Sequence, residues 1–279
     1  MLHARITLLS LFVLGCFVSG QAQFQDRSDL AGLAEQTNGE TIAIGDYDND
    51  GWEDIYLGFQ QAKNQLWRNR GDGTFVNVAD ELGVALTAEA RSKTAVWGDI
   101  NNDGWLDLHI GNINAPDRLF LNNGAGGFTD ITTLAGIGQL SHPLSVNFAD
   151  LNQDGLLDIY VSNFLEENVY YLNNGNLSFT DATATAGLFD TGKSMGTIIF
   201  DYDRDGDPDV YLVHDGNEAN YLYQNHGDGT FTEVGQASGT ATESFGMGVD
   251  IGDINRDGWL DIYIANLFEN ILLQNNGDG

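Results

Sequence analysis

The 279-residue chain has one cysteine, three prolines and 11 lysines and arginines against 41 aspartates and glutamates. A single cysteine excludes an intrachain disulfide, so an exported domain built from this sequence needs another staple. The scarcity of proline, with no low-complexity tract, leaves no linker at which to divide the chain. Its length would allow two domains, but a repeat array can absorb that length as one body. A formal charge of −30 sets nucleic acid and anionic membrane surfaces aside as partners, since both are held by Lys and Arg. Histidine is scarce as well, and no His-rich metal set, nucleophile elbow or phosphate loop stands in the sequence. The chain is therefore not expected to be an enzyme.

Long apolar runs are also missing, with one exception. Residues 1–22 read as a signal peptide: basic Arg5, an apolar run from Ile6 to Val18, then small and polar residues. The run is too short to span a bilayer. Gly20 and Ala22 suit cleavage after Ala22, while Val13-Leu14-Gly15-Cys16 offers a second reading as a lipoprotein box with a lipid anchor on Cys16. Both readings make the mature chain secreted or cell-surface.

What the chain has in quantity is one loop, five times over. Asp46-Tyr47-Asp48-Asn49-Asp50-Gly51-Trp52-Glu53-Asp54 places oxygen side chains at positions 1, 3, 5 and 9 and a glycine at position 6, where the backbone must turn sharply for all of them to face one centre. A hard divalent cation is the natural occupant, so Ca2+ is the expected cofactor, up to five ions. The copies begin at Asp99, Asp150, Asp201 and Asp253, spaced 53, 51, 51 and 52 residues apart, a fixed period that announces a repeat architecture. An EF-hand loop needs a bidentate Glu at position 12 and a helix on each side. Here position 12 is Leu57, Ile110, Val161, Leu212 and Ile264, and the flanking residues are short β-branched or aromatic runs bounded by Gly and Asn. The loops thus join strands, and the position 9 aspartates take the place of the missing Glu. These loops hold 19 of the 41 acidic residues. Five Ca2+ ions would leave about −20, a solvated surface.

Four strands are predicted per unit, most clearly in the second: Thr94 to Gly98, Asp107 to Gly111, Arg118 to Asn122, and a fourth beginning at Phe128 after the turn Asn123-Gly124-Ala125-Gly126. Asn-Gly and Asp-Gly supply the positive φ that a tight hairpin demands. Four antiparallel strands at a period near 50 make a propeller blade, so the fold class is all-β, a β-propeller of four-stranded blades. Residues 23–279 divide into units 24–74, 75–127, 128–178, 179–230 and 231–279, each opening on a Phe. Apolar first strands and paired third-strand residues such as Leu119-Phe120 and Tyr170-Tyr171 read as core between neighbouring sheets, as does His109. His214 and His226 read as loop and turn residues.

The Asp-x-Asp-x-Asp-Gly-x-x-Asp loop, the Asn-Asn-Gly turn and the Phe-x-Asp segment before Ala-Gly-Leu resemble FG-GAP/VCBS repeats, as in integrin α-subunit propellers. The combination is most similar to the cartilage acidic protein family and its bacterial relatives. The resemblance spans Phe24 to Gly279. It implies a calcium-binding β-propeller, usually of seven blades and often followed by a further domain. It also implies the ligand sets: side chains at positions 1, 3, 5 and 9 with the position 7 carbonyl. These are Asp46, Asp48, Asp50, Trp52 and Asp54; Asp99, Asn101, Asp103, Trp105 and Asp107; Asp150, Asn152, Asp154, Leu156 and Asp158; Asp201, Asp203, Asp205, Asp207 and Asp209; Asp253, Asn255, Asp257, Trp259 and Asp261. Three loops carry Asn at position 3 and should bind more weakly than the first and fourth.

Only five units are present, and the sequence stops at Gly279 inside a turn. Two expectations follow: the chain is a fragment of a longer propeller, or a strand starting at Phe24 closes a five-bladed ring beside the last sheet. Calcium is expected to fix loop geometry without chemistry. Counting eight residues back from each loop gives Asn38, Arg91, His142, Lys193 and Phe245 on the opposite face. Arg91, His142 and Lys193 there suggest a mouth for an anionic or polyhydroxyl ligand. The expected function is binding or adhesion to an extracellular protein or glycan. The alternative is the scaffold of an extracellular polysaccharide-degrading enzyme whose catalytic part lies outside this chain.

Overall fold

Apolar runs become strands and the Asp/Asn/Gly clusters between them become turns throughout the computed structural model, which describes residues 24–33, 38–113 and 115–277. Residues 1–22, expected to be a signal peptide, lie outside the described residues, and Cys16 with them. Blade 1 is β1 (Gly39–Gly45), β2 (Asp54–Phe59), β3 (Gln65–Asn69) and β4 (Phe75–Asn77). Blade 2 is β5 (Ser92–Gly98), β6 (Asp107–Asn112), β7 (Arg118–Asn122) and β8 (Phe128–Asp130). Blade 3 is β9 (Pro143–Ala149), β10 (Asp158–Asn163), β11 (Val169–Asn173) and β12 (Phe179–Asp181). Blade 4 is β13 (Ser194–Phe200), β14 (Asp209–His214), β16 (Tyr221–Asn225) and β17 (Phe231–Glu233). Its β15 (Glu218–Ala219) leaves the sheet to pair with β18 (Glu243–Ser244) of the next connection. Blade 5 is β19 (Gly246–Gly252), β20 (Asp261–Asn266) and β21 (Ile271–Leu273).

Each sheet is antiparallel in simple sequential order. The Phe strand that opens each sequence unit belongs to the sheet of the unit before it. The first two strands of every blade share a register shift at the end remote from the loop, where the ladder must bend.

Successive sheets stack by their first strands, β1 on β5, β5 on β9, β9 on β13 and β13 on β19. The core therefore lies between blades, in four clusters for five sheets. Tyr56, Leu66, Leu108 and Phe120 fill the first seam, Val146, Ile159 and Tyr171 the second, Tyr160, Leu212 and Tyr223 the third, Tyr211, Ile262 and Ile264 the fourth. At the two ends this cover is missing, and Ile42, Ile44, Tyr263 and Leu272 are exposed.

Two expectations need correction. The sequence from Phe24 to Arg27 with Ala31-Gly32-Leu33 reads as a lone extended segment, but Ser28–Ala31 and its equivalents Ala79–Leu82, Thr132–Ala135, Thr183–Ala186 and Gly235–Ser238 each form one helical turn (α1 to α5), stopped by a glycine in the left-handed region. Ring closure by Phe24 is not seen either. Residues 24–27 join no strand and Phe24 is 91% exposed. No helix among the described residues is long and apolar enough to cross a membrane.

Candidate metal centre

Each loop is shaped by its own carboxylates before any ion is considered. In four of the loops position 1 accepts two backbone N–H groups across the turn, as when Asp46 takes those of Asp50 at 3.0 Å and Gly51 at 2.8 Å, and in the fourth Asp201 takes that of Gly206 alone. Position 4 lies in the left-handed region in all five loops, at Asn49, Asn102, Gln153, Arg204 and Arg256, and so does the glycine at position 6. The sequence signalled the glycine but not position 4, where Asn, Gln and Arg adopt a conformation that, of the three, only Asn favours.

Position 9 is the anchor. Asp54, Asp107, Asp158, Asp209 and Asp261 are each at most 1% exposed. One oxygen takes the N–H of position 2 and the other takes the N–H of the asparagine that ends the third strand; for Asp158 these are Leu151 at 3.1 Å and Asn173 at 2.8 Å. Burial pushes the carboxyls of Asp54, Asp107 and Asp209 up to about 7 and that of Asp158 up to about 6.

In the first and fourth loops the structure gathers positions 1, 3 and 9, Asp46, Asp48 and Asp54 and then Asp201, Asp203 and Asp209, with ligand oxygens within 4.8 Å of one another. Asp48 Oδ1 and Asp201 Oδ1 are buried and accept no hydrogen bond among the described residues. An orphaned carboxylate oxygen inside a carboxylate trio fits a hard divalent cation. Position 5 is not part of either trio. Asp50, Asp103, Asp154, Asp205 and Asp257 instead accept the N–H of position 7, closing the turn. In the loops with Asn at position 3, its amide donates to position 5: Asn101 to Asp103 at 2.9 Å, Asn152 to Asp154 at 3.0 Å and Asn255 to Asp257 at 2.7 Å. A calcium ion there would be met by the amide oxygen and one charge fewer.

Position 7 has a packing role that the sequence did not disclose. The side chains of Trp52, Trp105, Leu156, Asp207 and Trp259 lie over the second residue of the third-strand turn, Gly71, Gly124, Gly175, Gly227 and Gly277. A Cβ at Gly124 would stand 2.9 Å from the Trp105 indole nitrogen, so this glycine is required by close approach as well as by its φ of +64°.

The loops are also tied to one another. From blade 2 onward the asparagine at or just past the end of the third strand reaches back to the previous blade: Asn122 Nδ2 donates to Tyr47 O at 2.7 Å, Asn173 to Ile100 O at 2.8 Å, Asn225 to Leu151 O at 2.9 Å and Asn275 to Tyr202 O at 2.9 Å. Position 4 reaches forward, Asn49 to Gly104 O and Asn102 to Gly155 O, and Arg204 lies 4.3 Å over the Trp259 ring. Asn173→Ala removes its donors to Ile100 and Leu157 and its acceptor for Gly175 N–H. It should cost about 2–4 kcal/mol in urea unfolding, from buried backbone groups left unpaired. The same change at exposed Asn174 should cost under about 1 kcal/mol.

On the opposite face, Arg91, His142, Lys193 and Phe245 occupy equivalent backbone positions, each carbonyl accepting the N–H just past the second strand, from Ile113, Phe164, Asp215 and Leu267. Their charges are locally engaged. Arg91 donates to Gln60 at 3.0 Å, His142 Nδ1 lies 3.1 Å from Glu166, and Lys193 Nζ stands 3.6 Å from Glu218. Asn38 shares the left-handed backbone of Arg91. His109 is buried as expected, edge-on to Phe148, and burial pushes it down to about 4. His214 departs from expectation: it ends β14, fully buried, with Nδ1 at 2.7 Å from Ala219 O and Nε2 at 3.0 Å from Asp190. The strand ran one residue beyond its apolar stretch because Asp190 and the Ala219 carbonyl give the imidazole partners.

The FG-GAP-like repeat pattern matches residues 46–110, 99–161, 150–212 and 201–264. Cartilage acidic protein 1 of Xenopus tropicalis is 32% identical over 208 residues, 66% of this chain and 30% of its own length. The Homo sapiens protein is 28% identical over 206 residues, 70% of this chain and 31% of its own. The chain thus spans under a third of the curated relatives it matches. Among solved structures, an Agrocybe aegerita lectin described as recognising non-reducing terminal N-acetylglucosamine superposes with a TM-score of 0.51 at 22% identity, over 87% of this chain and 64% of that one.

Proposed function

This chain belongs to the FG-GAP-like repeat family, and from that premise we propose that it is a secreted, calcium-stabilised β-propeller module that binds an extracellular protein or glycan through the face opposite the calcium loops. Calcium sits at positions 1, 3 and 9 of each loop and holds adjacent strands together. The module is non-catalytic, because its conspicuous carboxylates are committed to closing turns and holding the ion. The curated relatives align with this chain over 66% and 70% of its length, and the lectin with the similar fold is described as recognising a terminal sugar.

One observation carries the choice of face. The connections opposite the loops present five large exposed apolar side chains, Leu140, Leu165, Phe189, Leu267 and Phe268. Water-exposed apolar groups gathered on one face mark recognition surfaces. Leu165 is also held at φ +62°, an unfavourable backbone for leucine, and its N–H donates to Gly192 O in the loop that carries Phe189. On the loop face, by contrast, Trp52 and Ile254 are the only large apolar loop side chains exposed among the described residues.

The calcium-loaded chain should be screened on a glycan array and against a panel of extracellular proteins. Leu165→Ser with Phe189→Ser is expected to abolish the strongest signal, and Ile254→Ser on the loop face to leave it intact. Loss with Ile254→Ser and retention with the double variant would assign binding to the wrong face.

A further inference from the structure

The last residue of the second strand donates its N–H to a side-chain oxygen at the end of the following turn in every blade. Phe59 donates to Asn64 at 3.0 Å, Asn163 to Asn168 at 2.7 Å, His214 to Asn220 at 2.9 Å and Asn266 to Asn270 at 3.0 Å. In blades 1, 4 and 5 the amide of that asparagine also donates to the strand tyrosine, Tyr56, Tyr211 or Tyr263. Blade 2 departs at both positions, with His109 in place of tyrosine and Asp117 in place of asparagine. Asp117 Oδ1 does the common work, accepting Asn112 N–H at 2.9 Å. An asparagine suffices for that in the other four blades, so Oδ2 is surplus to it.

That surplus oxygen has no cation of its own. His109 Nε2 stands 3.9 Å away, too far for a hydrogen bond, and Arg118 turns its guanidinium toward Asp130 at 3.6 Å. A carboxylate only 5% exposed is poorly tolerated unpaired. Asp117 opens on a cavity of about 210 Å³ in the seam between blades 2 and 3, lined also by Asn163, Tyr171 and Asp181. Asn163 is 1% exposed, and its Oδ1 accepts no hydrogen bond among the described residues. Among the described residues no lysine, arginine or histidine lines the cavity. It offers carboxylate and amide acceptors from several elements and no cationic partner for them.

Two donors can be set aside on geometry. Metal ligands converge, yet among the described residues only the first and fourth loops bring three acidic side chains within 4.8 Å of one another. A guanidinium is best met by both oxygens of one carboxylate, and Asp117 has one already taken. A primary ammonium carries three donors that diverge from one atom and matches single acceptors on separate strands. We propose that the seam between blades 2 and 3 is a primary-ammonium site, in which Asp117 Oδ2 and Asn163 Oδ1 receive the end of a lysine side chain from a protein partner. The proposal deepens the binding-module reading and rests on it for the choice of face alone. It also suits a chain so poor in base, which a lysine-bearing partner complements in charge.

The test is an NMR titration of the calcium-loaded chain with Nα-acetyl-lysine amide, Nα-acetyl-norleucine amide and Nα-acetyl-arginine amide. The lysine derivative should shift the Asn163 and Tyr171 resonances saturably and the norleucine derivative should not. Asp117→Asn keeps the Oδ1 acceptor, so the fold is preserved, and should weaken lysine binding about tenfold or more, the loss of a charge-assisted hydrogen bond. Equal binding by wild type and Asp117→Asn would overturn the proposal, as would tighter binding of the arginine derivative, or displacement of lysine by Mn2+ with the metal at Asp117. A partner or glycan found by array whose binding Asp117→Asn leaves untouched, with no lysine response in wild type, would sink this site and leave the binding module standing.

Discussion

Chelating calcium at neutral pH will lower the melting temperature of this chain by about 10 °C or more. Each ion held at about a hundred times its dissociation constant stabilises the folded state by about 2.7 kcal/mol. For a body of this size about 1 kcal/mol moves the midpoint by about 2–4 °C, so the first and fourth loops alone account for such a shift. The physical source is the crowding of Asp46, Asp48 and Asp54, and of Asp201, Asp203 and Asp209, whose mutual repulsion a bound cation relieves. Equal melting curves in EDTA and in millimolar Ca2+ would refute it.

The pH dependence without calcium has a definite sign. Asp54, Asp107 and Asp209 are raised by burial from an ordinary 3.8 to about 7, so the folded chain holds more protons than the unfolded one. Stability from these groups is fully present at and below about pH 4 and is lost as pH rises toward 7. Calcium requires the ionised carboxylates and releases those protons when it binds, which turns the same window into a gain. The gap between melting temperatures in Ca2+ and in EDTA should therefore widen from pH 5 to pH 7.5. A constant gap would show that the position 9 carboxylates ionise without the ion.

Asp158→Ala is the second large effect. It strips the acceptor from three buried donors, Leu151 N–H at 3.1 Å, Asn173 N–H at 2.8 Å and the Tyr170 hydroxyl at 2.9 Å. Each orphaned donor costs about 1–3 kcal/mol, so a total of about 3–5 kcal/mol is expected after partial relaxation, even in EDTA where no ion is lost. Asp154→Ala at position 5 of the same loop removes acceptors on the exposed side and should cost about 1 kcal/mol or less in EDTA. Equal losses from the two variants would show that position 9 is not the anchor of the loop.

Much of this was legible from residue order. The strands predicted at Thr94 to Gly98, Asp107 to Gly111 and Arg118 to Asn122 lie within observed strands Ser92–Gly98, Asp107–Asn112 and Arg118–Asn122. Turn chemistry and strand periodicity act over a few residues, and the sequence states them directly. The four-residue helices were missed because one turn is too short to show a helical period; the glycine that ends each was the available signal. His214 was misplaced because its burial depends on Asp190, which lies 24 residues earlier.

Residue order carries the repeat, the acidic loop pattern and the four-stranded unit, since each is written in local spacing. Tertiary structure alone decided that the asparagine ending a third strand clasps the carbonyl of a loop about 75 residues away. It also decided that position 5 closes the turn while positions 1, 3 and 9 converge in the first and fourth loops, and that a lone aspartate in blade 2 opens on a cavity between sheets. Those outcomes depend on which faces meet when sheets stack, and stacking brings together residues from different repeats that no local pattern connects.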